Sequence, residues 1–252
     1  SDEENLGTLV KNSDVVINLI GILHETKKQK FEDIHAKFPD LLSKLCNKLN
    51  IEKLVHVSAL GINETVGSQY MQSKLKGEKN ILNNFNHSVI LRPSIIFGPE
   101  DKFFNQFASL AEFLPALPLI GGGLNYFQPI YVGDVAKSIV AILEKEEISE
   151  NIFELGGPQT FTFKELMKIL LKQIKKKRFL VPIPFSFAKF LAKILQLLPK
   201  PMLTTDQVEM LKYDNVVTNN FPTLKDLKIN PKTIDTVLPD YIWRFRKGGQ
   251  FA

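Results

Sequence analysis

The sequence predicts an α/β fold: a parallel sheet crossed by helices, closed by a helix-rich carboxy-terminal cap, with the first strands of such a sheet missing. Three observations carry this. Short apolar runs alternate with amphipathic stretches between Asp14 and Arg92, the pattern of a parallel sheet with crossover helices. A set of motifs stands in fixed order: Asn18-Leu19-Ile20-Gly21, Ser58, Tyr70-Met71-Gln72-Ser73-Lys74, Leu91-Arg92-Pro93-Ser94, and Gln128-Pro129-Ile130-Tyr131-Val132-Gly133-Asp134-Val135. That order suits a nucleotide-binding fold able to do hydride chemistry. The glycine-rich turn that opens such folds does not precede Asn18.

The elements follow in order. Val15 to Ile20 is an apolar run ending at Gly21, a buried parallel strand. Lys30 to Leu49 carries apolar residues at helical spacing, with Cys46 among them. Lys53 to Ser58 is the next strand, Gln69 to Asn84 the next helix, and Ser88 to Arg92 a strand again. A helix is expected from Phe103 to Glu112, a turn at Gly121-Gly122-Gly123, a strand from Phe127 to Tyr131 and a helix from Val132 to Glu146. Ile152 to Leu155 is a short strand stopped by Gly156-Gly157-Pro158. The chain after about Thr160 reads as mainly helical. This divides the molecule into a sheet-bearing part, 1–158, and a partly interleaved cap, 159–252.

Composition is that of a soluble globular protein: 252 residues, 44% hydrophobic and 23% charged. No stretch of about 18 apolar residues occurs, so no membrane span is expected. The single cysteine, Cys46, excludes an intrachain disulfide and reads as a buried thiol. The four histidines, His24, His35, His56 and His87, lack metal-ligand spacing, so no metal is assigned. The start at Ser1-Asp2-Glu3-Glu4 has no signal-peptide pattern and reads as a processed or incomplete terminus. Charge is uneven: residues 166–201 hold nine Lys/Arg and no acid, so a net +5 chain carries −4 elsewhere. One basic face could meet an acidic partner, phospholipid head groups or nucleic acid; the plainer reading is a solvated helix surface.

Ser58, Tyr70 and Lys74 are the strongest chemical signal. Tyr-x-x-x-Lys sets both side chains on one helix face, a turn apart. A nearby ammonium favours the phenolate and would lower the tyrosine pKa from its usual ~10. The tyrosine could then act as general acid or base toward a hydroxyl or carbonyl. Lys74 could also hold a cofactor ribose, and Ser58 orient a substrate oxygen. Asn18 to Gly21 closes a strand at the edge where open α/β sheets bind ligands, and a glycine there permits close approach. Arg92 to Ser94 forms a strand-end turn able to offer backbone groups to a carboxamide. The plainer readings are a chance surface pair for Tyr70 and Lys74 and a simple connection for Pro93.

Residues 187–198 are amphipathic. Phe187, Phe190, Leu191, Ile194, Leu195 and Leu198 share one face, with Lys189, Lys193 and Gln196 opposite. Such a helix can lie on a membrane surface, the more so below Lys175-Lys176-Lys177-Arg178. The plainer reading, a helix packed on its own domain, is the favoured one.

The motifs together resemble the atypical short-chain dehydrogenase/reductases related to the alpha-subcomplex subunit 9 of respiratory complex I. The resemblance runs from Asp14 to the C-terminus. Its most telling pieces are Phe31 to Ile34, Arg92 to Asp101, Gln128 to Val132, Leu203 to Val208 and Tyr241 to Arg244. It implies an extended Rossmann-type domain with a cap, and tightly held NADPH or NADH. It places Asn18, Ile20, Gly21, Ser58, Lys74, Pro93, Ser94 and Ile95 near ribose and nicotinamide, and Tyr70 at the catalytic tyrosine position of active relatives. It further implies an accessory, assembly-stabilising subunit beside the quinone region of complex I, without its own turnover. Membrane-surface contact would run through Phe187, Lys189, Phe190, Leu191, Lys193 and Ile194, and no nucleic acid is expected. The home would be the matrix side of the mitochondrial inner membrane, or the bacterial cytoplasm and inner-membrane periphery. The alternative is an active NAD(P)-dependent oxidoreductase or epimerase using Ser58, Tyr70 and Lys74. The family opens with a Gly-x-x-Gly-x-x-Gly turn and two βαβ units that do not precede Asn18. A fragment, a partner chain supplying those strands, or a lost dinucleotide site is therefore expected, since a bare parallel edge along Val15 to Leu19 would be sticky.

Overall fold

A computed structural model describes residues 2–62, 67–145, 149–198, 201–218 and 220–249. Helix α1 (Asp2–Val10) precedes strand β1 (Val15–Asn18). A π-helical segment, Glu32–Lys37, continues directly into α2 (Phe38–Lys48). Then come β2 (Lys53–Val57), α3 (Gln69–Asn84), β3 (Ser88–Pro93), β4 (Ile96–Phe97), α4 (Phe103–Phe113) and β5 (Ala116–Ile120). After the Gly121–Gly123 turn stand β6 (Tyr126–Phe127), β7 (Ile130–Tyr131), α5 (Val132–Leu143) and β8 (Ile152–Leu155). The cap adds β9 (Phe161–Thr162), α6 (Phe163–Gln173), β10 (Phe179–Ile183), α7 (Phe185–Leu195), α8 (Thr205–Met210), α9 (Ile234–Val237) and α10 (Pro239–Ile242).

The main sheet has the order β1-β2-β3-β8, all parallel, with Val15 opposite Lys53, Leu54 opposite Ser88 and Ile90 opposite Ile152. Strand β3 is buried along its whole length, so Val89, Ile90 and Leu91 can all be apolar without alternation. One apolar cluster joins Val55, Leu91, Phe153 and Ile142; another sets Leu54 against Leu42, Cys46, Ile81 and Phe85. Cys46 is the buried thiol expected, with its pKa pushed up to about 11 by burial. Strand β1 ends the sheet, with Ile17, Leu19 and Ile20 exposed.

Helix α3 is bound to the sheet by charge as well. Arg92 donates from Nε to both Glu78 oxygens at 3.1 and 3.2 Å, and from one terminal nitrogen to Oε2 at 2.5 Å. Both groups are buried, and Phe221 lies 4.9 Å under the guanidinium. Gly77 lets α3 approach the π-helical segment: a Cβ there would sit 1.9 Å from the His35 carbonyl oxygen.

The cap core interleaves distant segments. Phe103, Phe107, Phe127 and Phe163 pack edge to face or tilted, over Leu166, Met167 and Leu170 of α6. Strand β10 pairs in parallel with β5, outside the main sheet. The cap is thus less purely helical than the sequence suggests. The expected strand Phe127 to Tyr131 is split into β6 and β7 around Gln128-Pro129, because Pro129 cannot donate to a ladder. The expected helix from Val132 stops at Leu143; Glu146 lies outside the described residues.

Candidate functional site

The sequence-selected residues gather at the carboxyl ends of β1, β2 and β3. Asn18 closes β1 and is buried. Its Oδ1 accepts the Ile20 N–H at 3.0 Å, which shapes the turn into Gly21. Its Nδ2 lies 2.9 Å from His56 Nδ1, an arrangement that makes Nδ1 the acceptor and leaves the His56 proton on Nε2. That Nε2 is buried with no partner among the described residues.

A second histidine ties the turn to the catalytic-type helix. His35 Nε2 accepts the Ile22 N–H at 3.0 Å, and Nδ1 stands 3.0 Å from Ser73 Oγ. Ser73 Oγ donates to the Tyr70 carbonyl at 2.7 Å, so it accepts from His35. His35 is therefore neutral with its proton on Nδ1. Burial, then the Lys74 charge, pushes the pKa of both histidines down to about 3; His35 adds a further push on His56. Neither residue was singled out for this role in the sequence. Their partners lie 13 to 38 positions away, and no local pattern announces them.

Lys74 is buried and points from α3 toward the same turn. Its Nζ donates to the Val57 carbonyl at 3.2 Å and lies 3.3 Å from where a Gly21 Cβ would stand. Burial pulls its pKa down to about 8, with Glu78 opposing, so it is mostly charged at neutral pH. Ser58 follows β2; its hydroxyl is buried and has no partner among the described residues. An ammonium with spare donors, an orphan hydroxyl and a glycine-bared turn fit the ribose and nicotinamide half of a dinucleotide.

Tyr70 differs from expectation. Its ring is buried edge-on to His35 at 5.2 Å and Phe31 at 5.8 Å, beside Ile62 and Met71. Its pKa is pushed up to about 12, by burial first and then by Asp206. The expected lowering by Lys74 does not occur: the ammonium is directed at Val57 and Gly21, and desolvation of the phenolate dominates. Asp206 also holds the start of α3. Its carboxylate accepts from the Ser68 hydroxyl at 2.8 Å, the Gln69 N–H at 2.6 Å and the Tyr70 N–H at 3.2 Å. A carboxylate at a helix N-terminus is favourable to the helix. The Thr204-x-x-Gln207 capping box announces α8 in the sequence, but nothing announces its reach to α3.

Pro93, Ser94 and Ile95 lie two strands from β1, about 10 Å across the sheet. Their polar groups are engaged within the chain. The Pro93 carbonyl accepts Leu60 N–H, the Ile95 carbonyl accepts Ile130 N–H, and Ser94 Oγ donates to Asn215. Asn215 in turn donates to the Leu60 carbonyl, a crosslink from the cap that sequence reading missed. A groove of about 650 Å³ lies elsewhere, after β8, lined by Gln128, Gly157, Thr223, Lys225 and Lys228. It holds none of the candidate site residues, and Gln128 is its one residue from the ordered motifs. Among the described residues no cluster of histidine, cysteine or acid could hold a metal ion.

Residues 1–156 match the model of the NAD dependent epimerase/dehydratase family. The chain belongs to that family. Its solved structural neighbours share the fold: dTDP-glucose 4,6-dehydratase from Bacillus anthracis with NAD (TM-score 0.67, 19% identity, 96% of this chain and 76% of that one). The dTDP-glucose 4,6-dehydratase DesIV of Streptomyces venezuelae, with NAD and TYD bound, gives TM-score 0.70 at 16% identity, over 97% and 76%. Within the family the chain is similar to mitochondrial NADH dehydrogenase (ubiquinone) 1 alpha subcomplex subunit 9. Identity is 33% to the Arabidopsis thaliana protein and 32% to that of Mus musculus. These alignments cover 98% and 97% of this chain but 64% and 65% of the relatives' length. The 40 kDa subunit of Neurospora crassa NADH-ubiquinone oxidoreductase is 29% identical over 96% of this chain and 64% of its own length. The motif resemblance and the comparisons thus point to the same relatives.

Proposed function

We propose that this chain serves in an accessory subunit of mitochondrial respiratory complex I and holds NADPH or NADH as a structural ligand, without turnover. The observation that carries the reading is the split behaviour of the Tyr70/Lys74 pair. Lys74, Ser58 and Gly21 keep an arrangement suited to ribose and nicotinamide, whereas Tyr70 is closed in by rings and raised to about 12. A general acid or base works best with its pKa near the operating pH, and Tyr70 is far above it. When bound, a nicotinamide supplies hydride chemistry; here the protein's part is to hold it. Lys74 would donate to ribose hydroxyls, Ser58 would bind the ring side, and Asn18 and His35 would fix the Ile20 to Ile22 turn beneath them. Pro93, Ser94 and Ile95 would line the nicotinamide end.

The relatives' names support a setting among mitochondrial complex I subunits; partners near the quinone region and a place on the matrix side of the inner membrane are part of the proposal. The sheet-bearing residues 1–158 would carry the ligand. The cap, 159–252, would face the membrane through Phe187, Lys189, Phe190, Leu191, Lys193 and Ile194. Native mass spectrometry of the protein from its own source, paired with native electrophoresis of respiratory membranes, tests this. Co-migration with complex I and a retained dinucleotide are expected; a free protein without ligand would contradict it. Ser58, Tyr70 and Lys74 all present at one sheet edge favour a second reading, an active oxidoreductase or epimerase. It requires substrate-dependent NAD(P)H turnover that Tyr70→Phe abolishes.

A further inference from the structure

The groove beside Gln128 lies apart from the dinucleotide-type site. It opens where β8 ends, at Gly156 and Gly157, on the opposite edge of the main sheet from β1. Open α/β sheets take ligands outside the carboxyl ends of their strands. Its volume of about 650 Å³ falls within the roughly 300–1,000 Å³ of small-molecule sites. None of Asn18, Gly21, Ser58 and Lys74 lines it.

The walls are held from within the chain. Gln128 Nε2 donates to the Gly157 carbonyl at 2.8 Å, and its Oε1 accepts the Val217 N–H at 3.0 Å. A turn over residues 224–229 forms the other wall. The Ile229 N–H donates to the Leu224 carbonyl and the Lys228 N–H to that of Lys225, both at 3.0 Å. Leu224 and Leu227 are buried in the cluster with Val55 and Leu91, and Ile229 packs against it. These apolar anchors fix the turn and leave Lys225 and Lys228 exposed along the groove.

Two observations mark those lysines. Their charge is uncompensated at the groove, which no acid lines. Asp226, between them, is turned to Thr223, whose N–H it accepts at 2.8 Å and whose hydroxyl it accepts at 3.3 Å. Glu154, two residues before Gly156, is engaged by Thr218. Among the described residues the side chains of Lys228 and Asn230 have no hydrogen-bond or ion-pair partner, and Lys225 meets only the more distant charge of Asp226. The second observation is the backbone: Lys228 has a φ of 56°. Glycine or asparagine normally closes a turn in that left-handed conformation, and a lysine there is strained. Strained non-glycine residues gather at ligand sites.

We propose that this groove binds a small organic phosphate, its phosphate between Lys225 and Lys228 and its apolar body against Val217, Leu224 and Ile229. The lining selects the class. Lysine binds phosphate as a compact point charge, whereas a planar carboxylate is matched best by the arginine fork, and no arginine lines the groove. The aliphatic wall calls for an apolar body, and the Asn230 amide is left to hydrogen-bond a polar edge of it. The dinucleotide site proposed above and this groove share no candidate residue, so neither reading depends on the other.

The test is titration of the full chain with phenyl phosphate, followed through its amide resonances by two-dimensional NMR. Saturable shifts are expected at residues 156, 157, 217 and 224–230. Inorganic phosphate, phenol and benzoate should each bind roughly tenfold more weakly or worse, and Lys225→Gln with Lys228→Gln should weaken phenyl phosphate by about as much. Lys228→Gly separates binding from folding. It removes a charge and relieves the turn, so it should weaken binding without lowering the urea midpoint. Absence of a saturable shift overturns the proposal, as do shifts centred on Gly21 and Lys74 or an affinity unchanged in the double variant. Benzoate bound as tightly as phenyl phosphate would overturn the phosphate assignment.

Discussion

The carboxyl edge of the sheet and the outer face of α7 invert each other. At the sheet edge, polar groups are drawn inside: Asn18, His35, His56, Ser58 and Lys74 are all buried. On α7, large apolar groups are pushed outside. Buried polar and exposed apolar residues are the two informative departures from ordinary packing. In the first region the departure is compensated largely from within, by a chain of hydrogen bonds from Ile22 through His35 and Ser73 to Tyr70. In the second, nothing among the described residues compensates it. The difference supports the proposal that the first region holds a small ligand, and sets it apart from a helix face whose apolar side chains stay exposed.

The comparison breaks first if α3 is freed from the sheet. Glu78→Leu leaves the Arg92 guanidinium buried without its carboxylate. A loss of about 3–5 kcal/mol is expected, read as a shift of the urea midpoint. Gly77→Ala drives a methyl into the His35 carbonyl and should cost about 1–3 kcal/mol by the same assay. His35→Phe keeps the ring but orphans the Ile22 N–H, with an expected loss of about 1–3 kcal/mol. It should also weaken dinucleotide retention, because the Gly21 turn is no longer fixed to α3.

Acid sharpens the contrast, since it attacks only the buried-polar region. His35 and His56 have pKa values of about 3 when folded and 6.5 as the reference for the unfolded chain. Below 6.5 the unfolded chain takes up protons that the folded one refuses. Their contribution is therefore whole above 6.5 and is lost as pH falls toward 3. Urea midpoints at pH 7 and pH 5 should show the drop, and His35→Phe should reduce it. The smallest effect is spectroscopic. Asp206→Asn removes the lesser cause of the raised Tyr70 pKa, so ultraviolet titration should find it lower than wild type yet still above 10. A value at or below 10 would mean that burial is not the main cause.

Strands β2, β3 and β8 were legible because strands covered on both faces read as mostly apolar runs, whereas β1, expected to be buried from Val15 to Ile20, ends at Asn18 and leaves Ile17 exposed at the sheet edge. Helix α3 appears at Gln69–Asn84, as expected from its pattern. Strands β5 and β10 were not legible: Pro118 and Pro182 interrupt Ala116–Ile120 and Phe179–Ile183, so the first suggests no element and the second falls in the part that reads as mainly helical. Periodicity found the amphipathic helix but left open whether its apolar face packs on the domain or faces outward. Which side goes inward was decided by close approach to Ile120 and Val208, which admits alanine and excludes phenylalanine. At the site, spacing revealed Tyr70 and Lys74 but not the sign of the tyrosine's shift. That depended on Phe31, His35 and Asp206, which reach Tyr70 only through the fold.

The most direct test compares Tyr70→Phe and Lys74→Ala in the protein from its own source, measuring bound dinucleotide by native mass spectrometry and NAD(P)H consumption on the same samples. A holding site should keep its ligand in Tyr70→Phe, lose most of it in Lys74→Ala, and consume no NAD(P)H in either variant or the wild type. Steady consumption by the wild type that Tyr70→Phe abolishes would contradict the account and make Tyr70 a working acid.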